Sequence, residues 1–108
     1  MLAEELIVDN IPPVKPSDSG ELALHWMDEF KISNISVVDN GAFLGTISEN
    51  DVLEMTDLGD RVGDYRELLN PAFVKKDQHI FEVIKVVNDH HLSIVPVLDN
   101  QDIYQGSI

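Results

Sequence analysis

Residues 34–40 read NISVVDN, and residues 94–100, sixty positions later, read IVPVLDN. Each stretch is a short apolar run with β-branched residues that ends in an Asp-Asn pair. Such runs, bounded by turn residues, are typical of strands that are buried on both faces of a sheet. Because one strand pattern occurs twice at a fixed offset, the sequence predicts two copies of one small folding unit.

The repeat extends well beyond these two strands. At the same offset, Val14-Lys15 matches Val74-Lys75 and Ser33 matches Ser93. With one extra residue allowed in the second turn, Gly45 matches Gly106 and Ile47 matches Ile108. Several matches in a single register are hard to obtain by chance. We therefore expect a first repeat over residues 1–57 and a second repeat over residues 58–108.

Helical spacing of apolar residues predicts the same helices in both copies. Ser17 and Asp77 are residue types that cap helices, and apolar positions at helical spacing follow each of them. A shorter helix is predicted ahead of each copy, over residues 2–7 and residues 62–69, closed by prolines that disfavour helical geometry in the residue before them. The first copy also predicts a helix over residues 49–55.

Two strands follow the main helix of each copy. They are predicted over residues 35–38 and 43–47 in the first copy, and over residues 94–98 and 103–108 in the second. Asp39-Asn40-Gly41 is a strong hairpin signal between the first two strands. The expected fold is α/β (α+β), with a small mixed sheet and packed helices in each repeat and a pseudo-two-fold relation between the repeats.

The second copy stops at Ile108, the counterpart of Ile47. The residues that would match Ser48 to Met55 are absent, so the second repeat is expected to lack its final helix. An apolar face would then stay uncovered. We expect that the chain belongs to a longer protein, or that a partner covers this face.

Composition excludes several classes of function. The formal charge is −13, from 20 acidic and 7 basic residues, and such a field repels nucleic-acid phosphates and anionic membranes. No apolar run approaches the ~20 residues that span a bilayer. The absence of cysteine excludes disulfides, zinc–thiolate sites and cysteine nucleophiles, and agrees with a cytoplasmic location.

The stretch GTISEND, residues 45–51, can be interpreted in two ways. Ser48 and Asp51, just before Val52 and Leu53, have the pattern of a helix N-terminus, where a hydroxyl caps backbone N–H groups and an acid suits the helix dipole. A hydroxyl and a carboxylate close together can equally hold a ligand. The residues alone leave both interpretations open.

Taken in order, these features resemble a pair of CBS domains, the tandem modules first recognised in cystathionine β-synthase. The resemblance covers nearly the whole chain. It is carried by the leading helix, the entry strand, the strand ending in Asp, the Asp-Asn turn and the Gly-x-x-Ser-x-x-Asp junction. Residues 92–99, LSIVPVLD, look very like the strand of that family.

The resemblance implies a regulatory module that binds an adenosine-containing ligand, such as AMP, ADP, ATP or S-adenosylmethionine, in a cleft between the repeats. By position in the family motif, Asp51 would bind the ribose hydroxyls and Ser48 would lie near the phosphate. Gly45 would permit close approach of the backbone, and Asn34, Ile35 and Ser36 would lie along the base. The shortage of basic residues favours a ligand with little negative charge over ATP.

Other assignments are weaker. His90 and His91 are adjacent and would not face the same way on a helix, so no metal site is expected. Trp26 lies on an apolar stripe that suits core or dimer-interface packing. Neither a nucleophile elbow nor an ordered triad is present, so an enzyme is not expected. We expect a homodimer formed through the repeats, and the alternative to ligand sensing is a structural module that pairs chains without significant nucleotide binding.

Overall fold

A computed structural model describes residues 1–8 and 11–108. Two sheets form its frame, one in each repeat, and three α-helices pack on them. In the first sheet, β1 and β2 are antiparallel; in the second, the order is β3-β4-β5, with β3 parallel and β5 antiparallel to β4. The elements are β1 (Asn34–Asp39), β2 (Ala42–Ser48), β3 (Val74–Lys75), β4 (Pro96–Leu98), β5 (Tyr104–Ser107), α1 (Gly20–Phe30), α2 (Glu49–Leu53) and α3 (Ile80–His90).

This architecture confirms the predicted α/β class with a small sheet and packed helices in each repeat. The repeats meet through pairs of equivalent residues, as a pseudo-two-fold axis requires. The backbone N–H of Ser33 donates to Ser93 Oγ at 2.9 Å, and Ala42 forms an antiparallel bridge with Ile103. The boundary expected between residues 57 and 58 stays a prediction.

Both strand connections follow from local turn chemistry. Asn40 and Gly41 have φ values of 50° and 87°, the left-handed pair that a tight hairpin turn needs. In the second repeat, the Asp99 carboxylate accepts backbone hydrogen bonds from Gln101 at 2.8 Å and Ile103 at 2.9 Å. The hydrogen bond from Ile103 is the main reason why the pKa of Asp99 is lowered.

The predicted capping residues of the long helices are wrong by two positions. Ser19 caps α1 by accepting from Leu22 N at 3.1 Å, and His79 Nδ1 caps α3 by accepting from Phe81 N at 3.2 Å. Ser17 instead lies in the turn before the helix, where Asp18 N donates to Lys15 O at 2.9 Å. Asp77 lies in the matching turn, in which Gln78 N donates to Lys75 O at 3.1 Å.

The segments expected to form helices ahead of each repeat are 3-10 turns. They cover Ala3–Leu6, Val62–Asp64 and Arg66–Leu68, and the last two are separated by Tyr65 with φ −120°. The first N–H groups of two of these segments, at Ala3 and Val62, donate to the turns at 75–78 and 15–18. Among the described residues, none of the helices has the length and apolar character needed to traverse a bilayer.

The two core clusters show that the leading segments are exchanged between the repeats. Ala3 packs into the core of the second repeat, with Val74 and Val97, and Val62 packs into the core of the first, with Val14 and Val37. Backbone hydrogen bonds agree: Ala3 N donates to Gln78 O at 2.8 Å, and Val62 N donates to Asp18 O at 2.9 Å. Each core is therefore built from two separate stretches of chain.

Candidate ligand cleft between the repeats

The register of the β1–β2 hairpin separates a polar face from an apolar face. Asn34 pairs with Ser48, and Ser36 pairs with Thr46. The alternate residues Ile35, Val37 and Ile47 belong to the first core. Because side chains alternate across a strand, the four polar residues share the face opposite this core. The hairpin thus presents hydroxyl and amide groups together.

At the Asn34–Ser48 end of this polar face, a cleft of about 430 Å³ opens. That volume lies in the range of small-molecule sites. One wall comes from the hairpin, α2 and Asn70, and the other from the end of α3 in the second repeat. The lining residues are Ser33, Asn34, Thr46, Ser48, Glu49, Asn50, Asp51, Asn70, His90, His91 and Leu92.

Ser48 and Asp51 meet at the start of α2, inside the cleft. Ser48 Oγ accepts a hydrogen bond from Asp51 N at 3.1 Å, which confirms the predicted cap. The hydroxyl proton of Ser48 remains available to a ligand. None of the hydrogen bonds and ion pairs found across residues 1–8 and 11–108 involves the Asp51 carboxylate, which lines the cleft half-buried. An acceptor and a donor therefore stand side by side.

Asn34 lies in the cleft wall, but its side chain already joins the two repeats. Its Oδ1 accepts from Ser93 N at 2.7 Å, from Ser93 Oγ at 2.5 Å and from Ile94 N at 3.3 Å. Its Nδ2 donates to Ile94 O at 3.2 Å. Asn34 is 4% exposed. We call this set of bonds the Asn34 clasp; it fixes the position of one repeat against the other beside the cleft.

The other predicted site residues lie next to the cleft without lining it. Ile35 is fully buried in the first core. Ser36 is 1% exposed, and within the described part of the chain its Oγ has no hydrogen-bond partner. The backbone at Gly45 does permit a close approach, but the approaching chain is Leu69-Asn70, since a Cβ built on Gly45 would lie 2.8 Å from Leu69 Cβ.

Sequence reasoning missed Thr46, Asn70 and His90 as lining residues. Thr46 could have been found from strand alternation, because it shares the face of Ser36 and Ser48. Asn70 reaches the cleft through a two-bond backbone bridge to Thr46, both at 2.8 Å, and this bridge has no local sequence signal. The sequence predicts His90 and His91 at a helix end and gives no sign that they line a ligand cleft, whereas the structure places both in the cleft wall.

The charges in the cleft limit the ligands that suit it. Glu49 and Asp51 contribute carboxylates, and His90 and His91 contribute imidazoles, but the lining residues include no Lys or Arg. A polyphosphate would face carboxylates without a permanent cation to balance its charge. Within the described ranges, no three His, Asp or Glu side chains gather in a way that could hold a metal ion.

Comparison with known proteins gives a family and a fold. Residues 3–56 match the family model described as CBS domain. Inosine-5'-monophosphate dehydrogenase from Helicobacter pylori is 28% identical over 82 residues, which are 75% of this chain but only 17% of that enzyme. The chain therefore spans less than a fifth of the length of this relative.

Two solved structures share the fold over essentially the whole chain. A CBS domain pair/ACT domain protein from Thermotoga maritima superposes with a TM-score of 0.87 and 22% identity, covering 100% of this chain and 88% of that one. CBSX2, solved in complex with AMP, superposes with a TM-score of 0.78 and 24% identity, covering 99% and 88%.

Proposed function

Because this chain belongs to the CBS domain family, with the fold of a regulatory CBS pair, we propose that it senses an adenosine-containing ligand in the cleft between its repeats. The observation that carries the proposal is the Asp51 carboxylate, which makes no bond within the described residues and lies beside the Ser48 hydroxyl in a cleft of about 430 Å³. The AMP complex of CBSX2, a protein of the same fold, supports the choice of ligand class.

In the proposed complex, Asp51 accepts from the two vicinal ribose hydroxyls, and Ser48 donates to the phosphate. Charge-assisted bonds of this kind are roughly twice as strong as neutral ones. Thr46 and the Asn34 end of β1, which line the cleft, provide the side against which the base packs. The absence of Lys and Arg from the lining residues favours adenosine or AMP over ATP.

The proposed signal arises because the cleft has one wall from each repeat. A ligand that contacts both α2 and the end of α3 favours one packing of the repeats over others. An attached output domain that prefers the same packing then responds to the ligand. The match with inosine-5'-monophosphate dehydrogenase covers only 17% of that enzyme. We therefore propose a regulatory rather than a catalytic role for this chain. We also propose that it acts in the cytoplasm.

Replacing Asp51 with alanine is expected to weaken adenosine and AMP binding about 10- to 100-fold, since a hydrogen bond to a charged group contributes about 1.5–3 kcal/mol. Isothermal titration calorimetry of wild type, Asp51→Ala and Asp51→Asn measures this, with adenosine, AMP and ATP as ligands. Glu54→Ala is the matched control, because Glu54 directly follows α2 and is an exposed acid outside the cleft. Equal affinity of Asp51→Ala and wild type, or no saturable binding by wild type, would contradict the proposal.

Pairing of two chains is the second candidate function, favoured by an apolar face on α3. Phe81 is 73% exposed and Ile84 is 48% exposed, and the two residues are neighbours on one side of the helix. We propose that this face lies in the contact of a homodimer. Exposed aromatic side chains of this kind often provide much of the energy of an interface.

Light scattering after size-exclusion chromatography is expected to give a dimer mass for wild type and a monomer mass for Phe81→Glu. Asn100→Glu carries the same added charge in an exposed turn and is expected to stay dimeric. A monomeric wild type at high protein concentration, or a dimeric Phe81→Glu variant, would argue against this contact.

A further inference from the structure

A second cleft, of about 370 Å³, lies at the opposite end of β1 from the ligand cleft. Asp39, the last residue of β1, lines it, whereas Asn34, the first residue, lines the cleft between the repeats. The two clefts share no residue. The second is lined by Lys15, Pro16, Ser17, Asp39, Arg61, Gly63, Asp64 and Arg66.

This cleft concentrates positive charge in a strongly acidic chain. Lys15, Arg61 and Arg66 are three of the seven Lys and Arg residues. Asp39 and Asp64 are its acids, and Arg61 is paired with Asp64, with Nη2 and Oδ1 3.3 Å apart. Among residues 1–8 and 11–108, no ion pair involves Lys15 or Arg66, so these two cations are available to a ligand, while the chain as a whole carries −13.

The two loops that carry these cations are joined at the floor of the cleft. Gly63 N donates to Pro16 O at 2.9 Å, and Val62 N donates to Asp18 O at 2.9 Å. A Cβ on Gly63 would lie 2.7 Å from Pro16 Cβ, so the loops pack as closely as backbone allows. Lys15 N donates to Asp18 Oδ2 at 2.8 Å, which fixes the backbone that carries the Lys15 side chain. The backbone that lines the cleft is therefore held in place without a ligand.

We propose that this second cleft binds a small phosphate monoester. Lys15 and Arg66 contact the phosphate, since guanidinium and ammonium groups are the side chains that bind phosphate in proteins. Asp39 and the Ser17 hydroxyl lie where the rest of the ligand would bind, and both can form hydrogen bonds with hydroxyl groups such as those of a sugar phosphate. A volume of about 370 Å³ fits a molecule of that size. The proposal does not depend on ligand binding between the repeats.

Two-dimensional ¹⁵N NMR of the whole chain, titrated first with inorganic phosphate and then with ribose 5-phosphate, tests this assignment. The expected result is saturable shifts of the amides of Lys15, Ser17 and Asp18 and of residues 61–66, with ribose 5-phosphate binding more tightly. Arg66→Gln is expected to weaken binding at least fivefold. Lys85→Gln removes an exposed cation of α3 and serves as the matched control, with affinity unchanged.

Three outcomes would overturn the proposal. They are shifts that do not saturate, shifts that are the same in Arg66→Gln and wild type, and shifts centred on Ser48 to Asp51. The last would assign the phosphate to the cleft between the repeats. Adenosine carries no phosphate, so its titration in the Arg66→Gln variant reports on the cleft between the repeats alone. Failure of one proposal is thereby separated from failure of the other.

Discussion

Gly45→Ala is expected to lower the free energy of unfolding by about 2–5 kcal/mol, the combined cost of backbone strain and overpacking. Gly45 has φ 145°, a conformation that residues with a side chain rarely adopt. Its added Cβ would also lie 2.8 Å from Leu69 Cβ and 3.1 Å from Asn70 O, both parts of the segment that bridges to Thr46. Since small domains are stable by only about 5–15 kcal/mol, this loss is a large share of the total.

Urea unfolding followed by circular dichroism measures this loss. Gly59→Ala is the matched control, because Gly59 is exposed, lacks the positive φ of Gly45, and has as its nearest neighbour only the end of the Asp57 side chain, at 3.2 Å. Its effect is expected to stay within about 0.5 kcal/mol, as for most exposed positions. A Gly45→Ala variant as stable as Gly59→Ala would show that the hairpin can move away from Leu69 at little cost.

Asn34→Leu is expected to cost about 3 kcal/mol, because each buried polar group left unpaired costs about 1–3 kcal/mol. The substitution removes every bond of the Asn34 clasp and leaves the N–H groups of Ser93 and Ile94 and the carbonyl of Ile94 without their partner. The clasp also holds one wall of the ligand cleft against the other. We therefore expect weaker adenosine binding by this variant, even where it remains folded.

Two further variants separate the clasp from general effects of substitution. Asn34→Asp keeps the acceptor for Ser93 and Ile94 but loses the donor to Ile94 O, so its loss of stability should lie between wild type and Asn34→Leu. Asn50→Leu changes an exposed Asn of the same cleft, for which the structure records no side-chain hydrogen bond, and is expected to be nearly neutral. A double-mutant cycle of Asn34→Ala with Ser93→Ala in urea unfolding measures the interaction free energy between these two residues. If the two losses in the free energy of unfolding simply add, the proposed interaction between Asn34 and Ser93 is contradicted.

Much of the fold could be predicted because its signals are local. The hairpin turn at Asn40-Gly41 and the strand β1 were predicted from residue types that lie next to each other in sequence. Both predictions are confirmed. The capping residues of α1 and α3 were missed because Ser17 and Asp77 are also good turn residues. Whether such a residue caps a helix or closes the turn before it is decided by the backbone hydrogen bonds at 15–18 and 75–78.

The candidate site could be predicted only in part, because only some of its residues are brought together by local sequence. Ser48 and Asp51 lie three residues apart at a helix start, so their proximity is a local matter, and both line the cleft. Ile35 and Ser36 follow Asn34 in sequence, yet pleating sends Ile35 into the core, and Ser36, on the same face as Asn34, is buried without lining the cleft. Whether the six predicted residues bind a nucleotide stays a prediction until the calorimetry is done.

Taken alone, the sequence determined the two repeats, their order of elements, the hairpins and the Ser48 cap, since each of these depends on periodicity or on residues within one turn of each other. Tertiary structure decided the exchange of the leading segments, which packs Ala3 into the second core and Val62 into the first. It also decided the Asn34 clasp, which joins residues 59 and 60 positions apart. Contacts at such separations depend on how whole elements pack against each other, and the residues near each partner carry no local signal that identifies the other.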